Sequence, residues 1–217
     1  LVAVGTFVFM NRSGILNVGE LGVPYPVYAL LGLTVWQVFA GGLVVCSNSV
    51  VQGGGMVVKI NFPKETLVFA SLGQVLFELV VRLALIGVVM AAYQIPPRWT
   101  ALFFPLTLLP LLFLTLGLGF FLSLLNVVFR DVANVVGLGM MFFMFLTPVV
   151  YPISPETSGW IVYNPLAVLV SVCRDMIVAD TLGDLSRFGW FSAGSFVFFL
   201  IAWRVFHMVE PRMAERI

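Results

Sequence analysis

Five stretches of this chain stay apolar long enough to cross about 30 Å of hydrocarbon, a thickness that takes about 20 helical residues. They cover residues 28–51, 66–93, 101–126, 132–150 and 188–208. Alternation of apolar and polar residues with period 2, the mark of a barrel strand, is absent from them. The pattern therefore predicts an all-α integral membrane protein. A shorter apolar stub, residues 1–10, cannot span by itself and lacks the basic leader and small-residue cleavage site of a signal peptide. It reads as the tail of a first spanning helix that begins before Leu1, so the expectation is a six-helix domain, truncated at its first helix, over residues 1–217. No internal repeat and no polar or Gly/Ser-rich linker divides the chain.

Two of the connections carry information. Residues 52–65 form a loop in which Gly53, Gly54 and Gly55 end one helix, while Pro63 and Glu65 suit the first turn of the next. Between them lie Met56, Val57, Val58, Ile60 and Phe62 beside Lys59 and Lys64, a sticky surface that fits a protein partner. Residues 151–187 are apolar in pieces, notably 160–172, and are cut by Pro152, Pro155 and Pro165 just after Pro148. A run of that length suits a re-entrant or interfacial helix. Irregular backbone at membrane depth survives only where protein buries it or where it lines a watery path, so the segment is a candidate gate, with an interfacial cap as its bland alternative.

Positive charge orients the bundle. Apart from Arg82, which falls inside a span, Lys59, Lys64, Arg130, Arg204, Arg212 and Arg216 crowd about 33 loop residues, whereas Arg12, Arg98, Arg174 and Arg187 are spread over about 61. The denser side is the cytoplasmic one. That places the 52–65 loop, the turn at Arg130 and the C-terminus inside, and the 151–187 segment outside.

Composition agrees and excludes several functions. Hydrophobic residues make up 61% and charged residues 10% of the chain, far from the ~25% charged expected of a soluble domain. A net charge of +1 leaves no basic footprint for nucleic acid. One histidine, His207, and two cysteines, Cys46 and Cys173, do not make a zinc site, and the cysteines read as buried small hydrophobes rather than a disulfide. The glycines at 53–55 have neither the Lys-Ser/Thr ending nor the preceding strand of a P-loop, so the chain does not bind ATP by that route.

The remaining chemistry is sparse. Glu78 and Arg82, four apart in mid-span, satisfy one another either as a pathway pair facing the bundle interior or as a buried pair that fixes helix rotation. Asn126, Arg130 and Asp131 mark a tight inner turn, where a snorkelling arginine is the plain reading. The 21 Phe, 5 Trp and 5 Tyr face lipid or core, with stacking on a sugar as the functional alternative for some. His207, Glu210 and Arg212 are the only dense polar group that an intramembrane acyltransferase could use, and they read as a solvated helix end.

The chain also resembles a known family. The residues are Val23-Pro24-Tyr25-Pro26-Val27-Tyr28, Gly32-Leu33-Thr34-Val35-Trp36-Gln37, Ser47-Asn48-Ser49-Val50-Val51, Lys59-Ile60-Asn61-Phe62-Pro63-Lys64-Glu65 and Leu125-Asn126-Val127-Val128-Phe129-Arg130-Asp131. Thr147-Pro148-Val149-Val150-Tyr151-Pro152-Ile153, Tyr163-Asn164-Pro165 and Cys173-Arg174-Asp175 follow in order. Together they are similar to the permease subunits of ABC type 2 polysaccharide exporters, which move O-antigen, capsular polysaccharide and teichoic acid chains. The resemblance implies a six-helix permease of the bacterial inner membrane that pairs with a second copy of itself and with two separate ABC nucleotide-binding subunits. It implies that ATP and Mg sit on those partners and that this chain binds no cofactor or metal and catalyses no covalent step. Lys59, Ile60, Asn61, Phe62, Pro63, Lys64 and Glu65 would dock on the ATPase. Pro148, Tyr151, Pro152, Tyr163, Asn164, Pro165 and Arg174 would belong to the external gate, and the cargo would be a lipid-linked polysaccharide, O-antigen first, moving among membrane lipids. A type 2 permease for a drug or lipid is the alternative. An N-terminal amphipathic helix of the family would precede Leu1, and the triple glycine departs from the polar residues usual at that point of the loop.

Overall fold

In a computed structural model, residues 5–6, 9, 23–53, 63–151, 164–178 and 184–213 are described, without the side chains of 211–213. Among them the regular structure is helical: α1 (Tyr25–Gln52), α2 (Glu65–Ala92), a 3-10 turn (Trp99–Phe103), α3 (Phe104–Val128), α4 (Val132–Leu146), α5 (Pro165–Val178) and α6 (Leu185–Met213). Four are long and apolar enough to cross a membrane: Tyr25–Gln52, Glu65–Ala92, Trp99–Val128 and Leu185–Glu210. The chain is a multi-pass membrane protein.

Two expectations change. The stretch 132–150 is not a full span: α4 has 15 residues and stops at Leu146, about 22 Å of rise at 1.5 Å per residue. Pro148 is the reason, because the residue before a proline is pushed out of the helical region and Thr147 turns the chain instead. Of the apolar piece at 160–172 only residues 164–172 are described, and their helix runs on to Val178 from Pro165, whose fixed φ suits a first helical position.

The described chain falls into two compact units, residues 1–36, 80–108 and 143–189, and residues 37–79, 109–142 and 190–217. In the first unit α5 is buried nearly all round, from Leu166 to Val170 and from Val172 to Arg174 with Met176 and Ile177, as a helix enclosed by protein must be. Gly32 on α1 meets the backbone carbonyl of Val149 so closely that no side chain fits between them.

The core of the second unit is aromatic. Phe120 is fully buried, 4.9 Å from Phe206 and 5.5 Å from Phe69 between ring centroids. Phe113 lies against Phe196 and Phe199, at 5.2 and 5.4 Å. Gly117 and Gly119 on α3 let the helix approach Phe198 and Cys46. Such small residues are how helices close on one another when lipid gives no hydrophobic drive to associate.

Candidate functional site

The described part of the expected gate is built around α5. Asn164 caps it, its Oδ1 accepting from Leu166 N–H at 3.0 Å, while its Nδ2 donates to Thr147 Oγ1 at 3.2 Å. Tyr151 donates its hydroxyl to the Phe145 carbonyl at 2.9 Å. The other end is held by Thr100, whose Oγ1 donates to the Met176 carbonyl at 2.6 Å, and by Cys173, whose thiol donates to the Thr107 carbonyl at 3.2 Å. Proline and asparagine thus set where the helix begins, and two long-range hydrogen bonds tie its C-terminal half to residues 100 and 107. Pro148 is buried and Pro165 half-buried; Pro152 and Tyr163 lie outside the described residues.

Arg174 is the one charged side chain among the described residues of this helix besides Asp175. It is 5% exposed, and its guanidinium lies 3.9 Å above the centre of the Tyr28 ring. Asp175 Oδ1 is 3.5 Å from Arg174 Nε, yet among the described residues Nε and Nη1 have no hydrogen-bond acceptor, and the hydroxyls of Tyr25 and Tyr28 have no partner. A buried cation so arranged is stabilised by the face of the Tyr28 ring. Burial raises the Asp175 carboxyl, with Arg174 opposing that shift through its charge and hydrogen bond. Burial also raises Tyr151 and pushes the Cys173 thiol up to about 12, which makes it inert as a nucleophile. Tyr28 and Asp175 were not singled out from the sequence as partners of Arg174. Only an apolar helix that carries one Arg-Asp pair could have pointed to a buried partner.

At the 52–65 loop only its ends are described, and Lys59, Ile60, Asn61 and Phe62 lie outside the described residues. Pro63 is exposed, Lys64 buried and Glu65 half-buried. Lys64 and Glu65 are fastened to the last helix. Glu210 Oε1 accepts from the Lys64 backbone N–H at 2.7 Å, and Lys64 Nζ donates to the Glu210 carbonyl at 3.2 Å. Trp203 Nε1 donates to Glu65 Oε2 at 2.6 Å, and His207 Nδ1 is 3.8 Å from Oε2 of both Glu65 and Glu210. The end of α6 is therefore not merely a solvated helix end, because Glu210 satisfies the first free N–H before α2. Residues 146 apart in sequence meet there, which no local pattern announces.

At the inner turn, Arg130 and Asp131 are exposed while Asn126 is fully buried. Its Nδ2 donates to the Ser47 carbonyl and to Asn48 Oδ1, both at 3.1 Å, and its Oδ1 accepts from Ala133 N–H at 3.2 Å. One side chain so ties α3 to α1 and to the first turn of α4. Glu78 and Arg82 are exposed on α2 of this chain. Cys46 and Cys173 are free and buried. Among the described residues no three His, Cys, Asp or Glu side chains gather as a metal site.

Comparison with known proteins gives this arrangement a context. Over its full length the chain is 27% identical to the O-antigen export system permease protein RfbA of Myxococcus xanthus, covering 83% of that protein. Two RfbA permeases of the same description from Klebsiella pneumoniae are 28% identical over 73% of this chain and 62% of theirs, and 27% identical over 88% and 75%. The sequence model of the family described as ABC-2 type transporter matches residues 1–178. With most of its length matched, including α1 to α5, the chain belongs to the ABC-2 type transporter membrane family.

Proposed function

We propose that this chain is the membrane subunit of an ATP-driven exporter that carries a lipid-linked polysaccharide, O-antigen first among the candidates, across the bacterial inner membrane. ABC-2 membrane subunits are transporter components rather than enzymes, and ATPase subunits hydrolyse the ATP that drives them. The observation that carries the finer reading is the agreement, over 73–100% of the chain, with three permeases that are all described as O-antigen exporters.

In this reading two copies of the chain pair with two ATPase subunits. The loop at Lys59 to Glu65 docks on the ATPase, and closure of the ATPase dimer on ATP moves that loop. Lys64 and Glu65 pass the movement to α2 and, through Glu210 and Trp203, to α6. The segment from Pro148 to Asp175 is the outer gate. Its helix, anchored at Asn164 and Met176, is a piece of backbone that can shift as a body once Thr147 and Thr100 release it. The exported chain crosses between the two copies, where aromatic faces suit sugar rings and leave their hydroxyls to water.

Copurification and export are the test. Changing Ile60, Phe62 and Pro63 to alanine is expected to detach the ATPase and abolish surface polysaccharide in a complemented deletion strain. Intact assembly and intact export in the triple variant would refute the loop assignment. A deletion strain with normal surface polysaccharide and an accumulated drug or lipid would refute the substrate.

A further inference from the structure

A half-open pocket of about 290 Å³ lies beside the α2–α6 fastening, lined by Glu65, Leu200, Trp203, Arg204 and His207. Four of these residues fall at positions 200, 203, 204 and 207 of α6, the spacing of one helix face. Read along that face, the stripe passes from an aliphatic side chain through an indole to a guanidinium and an imidazole. That is the order of environments a phospholipid meets from its acyl chains to its head group.

The pocket carries both signs of charge. Arg204 is exposed and has no hydrogen-bond or ion-pair partner among the described residues, while the side chain of His207 is 61% exposed. Glu65 spends Oε2 on Trp203. Trp203 packs against two aromatic rings. It stacks on Phe199 with centroids 6.0 Å apart and an interplanar angle of 21°, and it meets the edge of Phe69 at 6.3 Å.

From this geometry we infer that the pocket binds the head group of a phosphoethanolamine lipid, its phosphate on Arg204 and His207 and its ammonium on the Glu65 carboxylate. A purely anionic head would meet the Glu65 charge without an ammonium to neutralise it, and a quaternary ammonium has no N–H to donate to that carboxylate. Leu200, with the exposed Phe196 and Val197 one turn before it on α6, gives the glycerol and first methylenes an apolar bed. A lipid seated there touches Glu65 and so bears on the same helix start that Glu210 holds.

The test uses the full-length protein in nanodiscs of phosphatidylcholine doped with a photoactivatable lipid whose diazirine lies close to the head, with labelled residues mapped by peptide mass spectrometry. Phosphatidylethanolamine, phosphatidylglycerol and phosphatidylcholine probes are compared. The expected result is labelling within residues 196–207 that is roughly fivefold or more stronger for the ethanolamine probe, and a roughly tenfold loss in Arg204→Gln, the scale of one charge-assisted contact. Glu65→Gln, which keeps an acceptor for Trp203, is expected to erase the preference for ethanolamine over glycerol while leaving the melting temperature in place. Equal labelling by all three probes overturns the proposal, as does stronger labelling by phosphatidylglycerol. An unchanged Arg204→Gln signal, or label that moves to the ATPase when that subunit is added, overturns it as well.

Discussion

Asn126→Ala is the sharpest probe of how this bundle is held. The side chain is fully buried and makes two donations to α1 and one acceptance at the start of α4. Hydrogen bonds between membrane helices average about 0.6 kcal/mol, so the two donations contribute about 1.2 kcal/mol. The bond to Ala133 N–H acts as a helix cap and adds about 1 kcal/mol. The sum, about 2 kcal/mol, corresponds to a fall of roughly 4–8 °C in melting temperature for a chain of this size. Asn48→Ala removes a single partner and is expected to cost about 1–2 °C on the same scale. Tryptophan fluorescence during heating in detergent measures both, and the double variant gives the coupling. An Asn126→Ala protein that melts within about 1 °C of the parent, or no lower than Asn48→Ala, would refute the account of Asn126 as a three-helix staple.

Further predictions concern α1 and α5. Gly32→Ala drives a methyl into the Val149 backbone carbonyl, which cannot rotate away, and is expected to cost about 3 kcal/mol. Gly41→Ala, whose nearest neighbour is Gln37 Oε1 at 3.6 Å, is expected to be neutral or stabilising by up to about 1 kcal/mol. Thermal melts of the pair decide, and equal melting temperatures count against the close approach. Cys173, with its thiol pushed up to about 12, holds only about one thiolate in ten thousand at pH 8. A charged maleimide should therefore label it after denaturation in SDS and not before; rapid labelling of the folded protein would contradict the burial. Asp175 has its folded pKa above the unfolded one. Any stability it supplies is complete below its unfolded value and lost as pH rises through the folded value, so Asp175→Asn is expected to melt no lower than the parent at pH 7. A clear loss there would mean that the charged Arg174–Asp175 pair is net stabilising.

How much of this could be read from residues alone depends on the kind of interaction. Hydropathy places the four long spans to within about three residues, because a helix in lipid must be apolar over its whole crossing. It overextends the stretch after Val132, where the run stays apolar beyond Leu146 but Pro148 has already broken the helix. Burial within the bundle is harder. In water an apolar stripe marks the packed face, but lipid is as apolar as the core, so the exposure of Glu78 and Arg82 was hidden by a helix apolar on every side. Polar residues at helix ends were legible as special but not as partners. Asn126 and Pro63-Lys64-Glu65 stand out in the sequence, whereas Asn48 and Glu210, which complete their contacts, lie 78 and 146 residues away. Arg174 is intermediate: its oddity in an apolar helix is visible, its seat on Tyr28 is not.

The paired contacts between Lys64 and Glu210 run in opposite directions, backbone to side chain and side chain to backbone, so neither residue can swing without dragging the other's main chain. Mechanically the start of α2 and the end of α6 are one joint with two arms. A displacement of Lys64 bears directly on the end of α6, and a load on that end bears on the start of α2. A bulky fusion placed after α6 is therefore expected to hinder movement at the start of α2.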